Sequence, residues 1–466
     1  MKLIILCSLI FPALAVRPLA PSVVVSNAVQ AQSPECVWAI GQGQKFLKEL
    51  MSQQGVPGLA VAVGVNGKIV WSEGIGLADL EHRVSVSPQT RFRVGSISKL
   101  FTATAVAKLH EQGLLDLDAP VQKYAPPFPR KDFEITTRLL AGHLAGIRHY
   151  APAEFINRQR SSSIEDSLNV FKNDPLVHQP GTKYLYSTYG YTLISAVIEG
   201  ASKEEYLTFM RKDVFEPLNM PRTVPDDNRR IIENRTGFYV RGQDGQLSNE
   251  SNTDNSNRRA AGGFLSTAEA LVRFGSAHLG QGFLKSESLT LIFTSQRTSD
   301  NKETGVGIGW RIGKDAKGRE IYHHGGDSVG RAFLVVYPNS KVIVALLANL
   351  TFARFAEKEA SLLADLFVNP PSALLQKTQK TVSPFVTASP RVARHGSALC
   401  SRIFALGDGS TFATASPPVV RHGSALPPAC YFDWAPPRAP PQVRGFAPSG
   451  LLWTLCQPKP KRETFR

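Results

Sequence analysis

Of the five cysteines in this 466-residue chain, none falls between residues 37 and 399: Cys7 and Cys36 precede that stretch, and Cys400, Cys430 and Cys456 follow it. A disulfide scaffold, a cysteine nucleophile and a thiolate-bound zinc site are therefore excluded from the main body of the chain. Histidine offers no metal site either, since His143 and His149 stand six apart and no H-E-x-x-H pattern occurs. After the first fifteen residues no apolar run reaches the ~20 residues that a membrane-spanning helix needs. Acidic residues are scarce at one end. From Pro371 to Arg466 twelve Lys or Arg face only Asp408, Asp433 and Glu463, so +9 of the formal +15 charge sits there and +6 elsewhere. The basic excess is a property of that tail, which removes the main argument for a nucleic-acid partner.

What the chain does have is 42% hydrophobic residues, ample for a packed core. Residues 1–31 read as a leader: a basic start, a short apolar run interrupted by Pro12, and small residues offering cleavage after Ala15 or Ala31. This predicts a secreted or extracytoplasmic protein, with an organelle presequence as the alternative. On export, Asn234, Asn249 and Asn349 would each open a glycan-acceptor tripeptide. Residues 37–368 form the predicted main domain. Residues 371–466 turn to Pro, Ala, Ser and Arg without period and read as disordered; their one repeat, two copies 27 residues apart, is too short for a solenoid.

Within the main domain, residues 40–51 predict an amphipathic helix. Two apolar runs at 59–65 and 68–71, joined by Asn66-Gly67, predict a hairpin with a type I′ turn. Helical periods dominate from 116 to 296; the clearest spans 189–199 and is expected to close at Gly200. Strands return at 307–312, 320–324, 331–337 and 341–347, and a helix over 354–368 closes the domain. Strands at both ends with helices between them predict an α+β fold: one antiparallel sheet assembled from distant segments, a helical lobe, and a cleft where they meet.

The stretch that organises this plan is Arg93-Val94-Gly95-Ser96-Ile97-Ser98-Lys99, followed by an apolar helical stripe and Gly113 as a stop. Ser96 and Lys99 lie one helical turn apart on one face, so the amine can take the hydroxyl proton, and the serine sits near a helix N-terminus that favours the anions of acyl transfer. Ser299 and Lys302 repeat the spacing, but Asp300, Asn301 and Gly305 make that copy a solvated turn. Two further segments supply partners. Tyr186 precedes a helix after the Pro180-Gly181 turn, and His323-His324-Gly325-Gly326-Asp327 ends a late strand with glycines that admit a substrate to the backbone.

Together these segments resemble the serine β-lactamase and penicillin-binding-protein superfamily, in its class C and esterase-like branch. Ser96-Ile97-Ser98-Lys99 matches S-x-x-K, Tyr186-Ser187-Thr188 matches Y-x-N, and His324-Gly325-Gly326 matches the K-T-G or H-x-G strand. The resemblance covers residues 40–368 and is nearest to a mitochondrial, β-lactamase-like animal branch. It implies a β-lactamase/transpeptidase-like fold, Ser96 as acyl acceptor, and Lys99 with Tyr186 as the proton-shuttling pair. Thr188, His324, Gly325, Gly326 and Asp327 would border a peptide or small acyl substrate, with the backbone N–H groups of Ser96 and Asp327 holding the oxyanion. No cofactor is implied. The same branch implies homo-oligomers or filaments as an alternative use of the scaffold. Thr188 in place of asparagine, and histidine in place of the lysine of K-T-G, argue against efficient antibiotic hydrolysis.

A rival pattern, G-x-S-x-G, occurs at 326–330 around Ser328. It requires a strand-to-helix elbow with an acid and a histidine downstream, whereas residues 331–337 read as a strand.

Overall fold

The computed structural model describes residues 33–370 except Gln281 and Ser328. The leader, the tail with its repeat, and Cys7, Cys400, Cys430 and Cys456 lie outside the described residues. Strands β1 (Gly58–Val65) and β2 (Lys68–Asp79) form the expected hairpin. Asn66 and Gly67 both take left-handed backbone, φ 51° and 77°, as a type I′ turn demands. The sheet is completed by β3 (Val84–Ser85), β4 (Arg311–Lys314), β5 (Glu320–Asp327), β6 (Arg331–Tyr337) and β7 (Val342–Ala348). Its order is β3-β2-β1-β7-β6-β5-β4, and every described pairing is antiparallel. The N- and C-terminal strands meet in the middle, in register from Leu59 opposite Ala348 to Val65 opposite Val342.

Successive residues of a strand point to opposite faces, and here both faces are covered. Leu59, Val61 and Val63, with Val342, Val344 and Leu346, pack beneath helices α1 (Pro34–Gln54) and α5 (Glu357–Val368). Ala60 and Ala62, with Ile343, Ala345 and Leu347, face the larger core. That core holds α2 (Ser98–Glu111), α3 (Thr188–Ser202) and α4 (Ala268–Ala277). Double coverage is why these strands read as unbroken apolar runs instead of alternating ones. Among the described residues no helix is long and apolar enough to cross a membrane.

Several sequence expectations need correction. Helix α1 starts six residues before the predicted run, at Pro34, because Ser33 caps it and Pro34 fits its first turn; Gly55 ends it at φ 61°. Helix α3 does not stop at Gly200 but continues to Ser202, with Lys203 as its left-handed cap. Gly200 serves another purpose: a Cβ there would lie 1.7 Å from the Tyr124 carbonyl oxygen, so glycine lets two backbones touch. Residues 307–310 are not strand. Gly309, at φ 82°, turns the chain tightly against α2, and only from Arg311 does pairing begin. The final helix starts at Glu357, after a loop in which Phe352 is left-handed. Helix α2 is not a stripe facing one core; eleven of its fourteen residues are buried. Asn349 cannot be a glycan site, because it is fully buried and its Oδ1 accepts from Gly58 N–H at 2.8 Å.

Candidate active site

Ser96 sits in a single 3-10 turn, Gly95–Ile97, that leads into α2. Two glycines bring the end of β5 against this turn. A Cβ on Gly326 would stand 2.0 Å from the Val94 carbonyl oxygen and 3.1 Å from Ser96 N, and one on Gly95 would stand 2.9 Å from Asp327 N. The backbone around Ser96 and the end of the H-x-G strand therefore adjoin as only glycines allow.

Lys99, one turn on, is fully buried, and no carboxylate among the described residues is ion-paired to it. Its Nζ lies 3.1 Å from Ser96 Oγ and 2.7 Å from the Ala261 carbonyl oxygen, over the rings of Tyr186 and Tyr191 at 4.8 and 5.7 Å. Burial, and then the guanidinium groups of Arg258 and Arg311, hold its pKa well below the usual lysine range. An amine whose proton is held this weakly, and which gives one N–H to the Ala261 carbonyl, can release a proton and turn a lone pair to the Ser96 hydroxyl.

Tyr186 comes from the loop before α3, where Ser187 is the N-cap: its Oγ accepts from Gly190 N–H at 2.9 Å and donates to the Arg148 carbonyl at 2.8 Å. The Tyr186 hydroxyl donates to Ser96 Oγ at 2.7 Å. Burial raises this phenol above its ordinary value, with the Ser96 hydrogen bond pulling the other way, so it stays protonated. Ser96 Oγ is thus held between an amine of lowered pKa and a protonated phenol.

His324 is 3% exposed, its ring 6.4 Å from Tyr186, and burial followed by Arg311 and Lys99 keeps it neutral. His323 points to the other face, toward Phe333 at 5.8 Å and Glu357 at 3.9 Å. The two side chains fix the register: the run facing the serine is His324-Gly325-Gly326. Asp327 pairs with Arg331, while its other carboxylate oxygen is buried with no partner, and burial raises its pKa. Thr188 opens α3, buried, its N–H directed at His149 Nδ1 at 3.2 Å. Lys99, Tyr186 and the end of β5 therefore assemble around Ser96, while Thr188 contacts the site through His149.

Other residues at the site carried no recognisable pattern of their own. Tyr186 is bracketed by His143 (4.5 Å between ring centroids) and His149 (5.5 Å); the latter also stacks on Tyr150 at 3.8 Å. Burial pushes His149 down to about 4. Arg258, 5% exposed, donates to the Phe155 carbonyl at 2.5 Å and lies over the Tyr150 ring. These groups become neighbours only through the fold, so a short motif cannot reveal them. The rival patterns end elsewhere. Ser299 and Lys302 occupy an exposed turn, with Lys302 paired to Asp300 at 2.7 Å. Ser328 is outside the described residues, but the chain after it returns as β6, so no strand-to-helix elbow exists there. Among the described residues no group of three or more His, Cys, Asp or Glu could hold a metal ion.

Comparison with known proteins agrees with this geometry. The family model described as Beta-lactamase matches residues 44–367. The human serine beta-lactamase-like protein LACTB, mitochondrial, is 34% identical over 433 aligned residues, covering 69% of this chain and 79% of that protein. Its bovine counterpart is also 34% identical, covering 67% and 76%. Among solved structures, the octameric penicillin-binding protein homologue from Pyrococcus abyssi superposes with a TM-score of 0.64 at 24% identity, covering 74% of this chain and 82% of that one. A D-stereospecific amidohydrolase from Streptomyces sp. gives 0.59 at 24%, covering 70% and 96%. With its α+β architecture and a family match over most of its length, the chain belongs to the beta-lactamase family, within the serine hydrolase superfamily that also holds the penicillin-binding proteins.

Proposed function

We propose that the protein is a serine hydrolase that forms a covalent acyl-Ser96 intermediate with a peptide or ester substrate. The observation that carries this reading is the partly buried triangle in which Ser96 Oγ has Lys99 Nζ at 3.1 Å and the Tyr186 hydroxyl at 2.7 Å. In acylation, Ser96 Oγ attacks the substrate carbonyl carbon while Lys99 Nζ takes the hydroxyl proton. The tetrahedral oxyanion is held by the backbone N–H groups of Ser96 and Asp327. The proton then passes through Tyr186 to the leaving nitrogen or oxygen as its bond to carbon breaks. Water, activated by the same pair in reverse, releases the acid and restores Ser96. Thr188, His324, Gly325, Gly326 and Asp327 border the bound acyl group.

A histidine instead of lysine at position 324, held neutral, offers a substrate carboxylate no charge, which weighs against rapid turnover of β-lactams. The mammalian LACTB relatives carry "mitochondrial" in their names, which favours an organelle presequence over a secretory leader for residues 1–31. The test is intact-mass analysis and peptide mapping after incubation with a fluorophosphonate. An adduct on the Ser96 peptide, absent from Ser96→Ala, is expected. A folded protein inert to such reagents would overturn the reading and favour a non-catalytic, self-assembling scaffold.

A further inference from the structure

We propose that His143 is a positioning residue that sets the place of Tyr186 by gripping the three consecutive residues around it. The inference rests on the role given to Tyr186 above. His143 is 3% exposed, on no helix or strand, at φ 59°, a left-handed conformation that a side chain rarely adopts. That conformation brings two acceptors of one residue to the same segment. Its carbonyl oxygen accepts from Leu185 N–H at 2.9 Å, and its ring Nδ1 accepts from Ser187 N–H at 3.1 Å. Between these anchors its ring lies on the Tyr186 ring, centroids 4.5 Å apart and planes inclined by 42°. The Tyr186 hydroxyl, at the far end of that ring, is what reaches Ser96.

Because Nδ1 accepts a backbone N–H, the imidazole is neutral with its proton on Nε2. Burial, together with the charges of Lys99 and Arg311, maintains that state. The ring is further wedged by Tyr184, edge-on at 5.9 Å, and by Tyr191, tilted at 5.3 Å. Tyr191 is itself fixed by donating its hydroxyl to the Ala141 carbonyl at 2.9 Å. His143 thus transmits a rigid helical framework to a loop tyrosine whose own backbone has no regular secondary structure. A phenol that must hand a proton to a leaving group gains from such restraint, since a shift of about 1 Å can cost about a hundredfold in rate.

The experiment uses the full-length protein. His143→Asn keeps a residue tolerant of left-handed backbone but removes the ring; His143→Phe keeps a ring but removes the acceptor. Each is measured for the rate of fluorophosphonate adduct formation at Ser96, alone and combined with Tyr186→Phe. The Tyr186 Cζ resonance is followed alongside in protein labelled with carbon-13 tyrosine, the signal being assigned by its loss in Tyr186→Phe. Both single variants should lower the adduct rate about tenfold and shift or broaden the Tyr186 signal, while adding either to Tyr186→Phe should change the rate less than twofold, the non-additivity of coupled residues. A full further loss in the Tyr186→Phe background would mean that His143 merely supports the fold and would overturn the proposal. So would an unmoved Tyr186 signal in a folded variant. If the wild type gave no Ser96 adduct, the hydrolase reading would fall by itself, and the Tyr186 signal would still decide whether His143 positions that ring.

Discussion

Ser96 and Ser299 each precede a lysine by three residues, yet the two pairs share nothing else. Lys99 is fully buried and its pKa is held well below the ordinary lysine value; the Lys302 side chain is 81% exposed, and Asp300 raises its pKa. Ser96 Oγ receives the Tyr186 hydroxyl and adjoins the end of β5, while Ser299 lies in an open turn whose N–H bonds to the Gly181 carbonyl at 2.8 Å. The same four-letter pattern gives a buried amine that loses its proton readily in one place and a solvated cation in the other. Reactivity comes from what surrounds the motif.

That contrast can be broken in steps of falling size. Ser96→Ala should abolish fluorophosphonate labelling, whereas Ser299→Ala should leave its rate unchanged, both read by intact mass. Lys99→Met should slow acylation about 10²–10⁴-fold, the usual yield of a positioned base, with Lys302→Met indistinguishable from wild type in the same assay. The wild-type rate should rise with pH through the Lys99 ionisation and level off below the ordinary lysine pKa of about 10.4. Stability carries the same sign. Between the folded and unfolded pKa values of Lys99 the unfolded chain binds the extra proton, so denaturant midpoints should rise with pH across that interval. Tyr186→Phe should cost about 10²-fold in acylation with an unchanged melting temperature, since only a hydroxyl is removed. Gly326→Ala leaves both motifs intact but drives a methyl into the Val94 carbonyl, and should destabilise the protein by about 1–3 kcal/mol in chemical denaturation.

Much of this was legible in the sequence where a local rule operates. Asn66-Gly67 announced its hairpin, β6 fell on the predicted residues 331–337, and the spacing of Ser96 and Lys99, with the family resemblance adding Tyr186 and His324, pointed to groups that lie near one another. The misses are tertiary. Gly200 reads as a helix stop because nothing in the sequence indicates that Tyr124 will press against it. Asn349 reads as a glycan acceptor because its tripeptide cannot tell an exposed loop from the buried end of β7. In the sequence His143 and His149 stand out only as two histidines six apart without a metal pattern, because their place in the site lies in the N–H groups of Ser187 and Thr188 some forty residues away.

The meeting of β1 and β7 at the centre of the sheet also bears on how the protein is made. Leu59 must find Ala348, 289 positions later, before the central strand pair can form. At translation rates of about 5–20 residues per second, β1 and β2 would wait roughly 15–60 s with one edge open and their apolar faces uncovered. A newly made chain would thus be dependent on holding factors during synthesis, or during threading through a membrane. A truncation before Val342 would remove the middle strand of the sheet and not its margin.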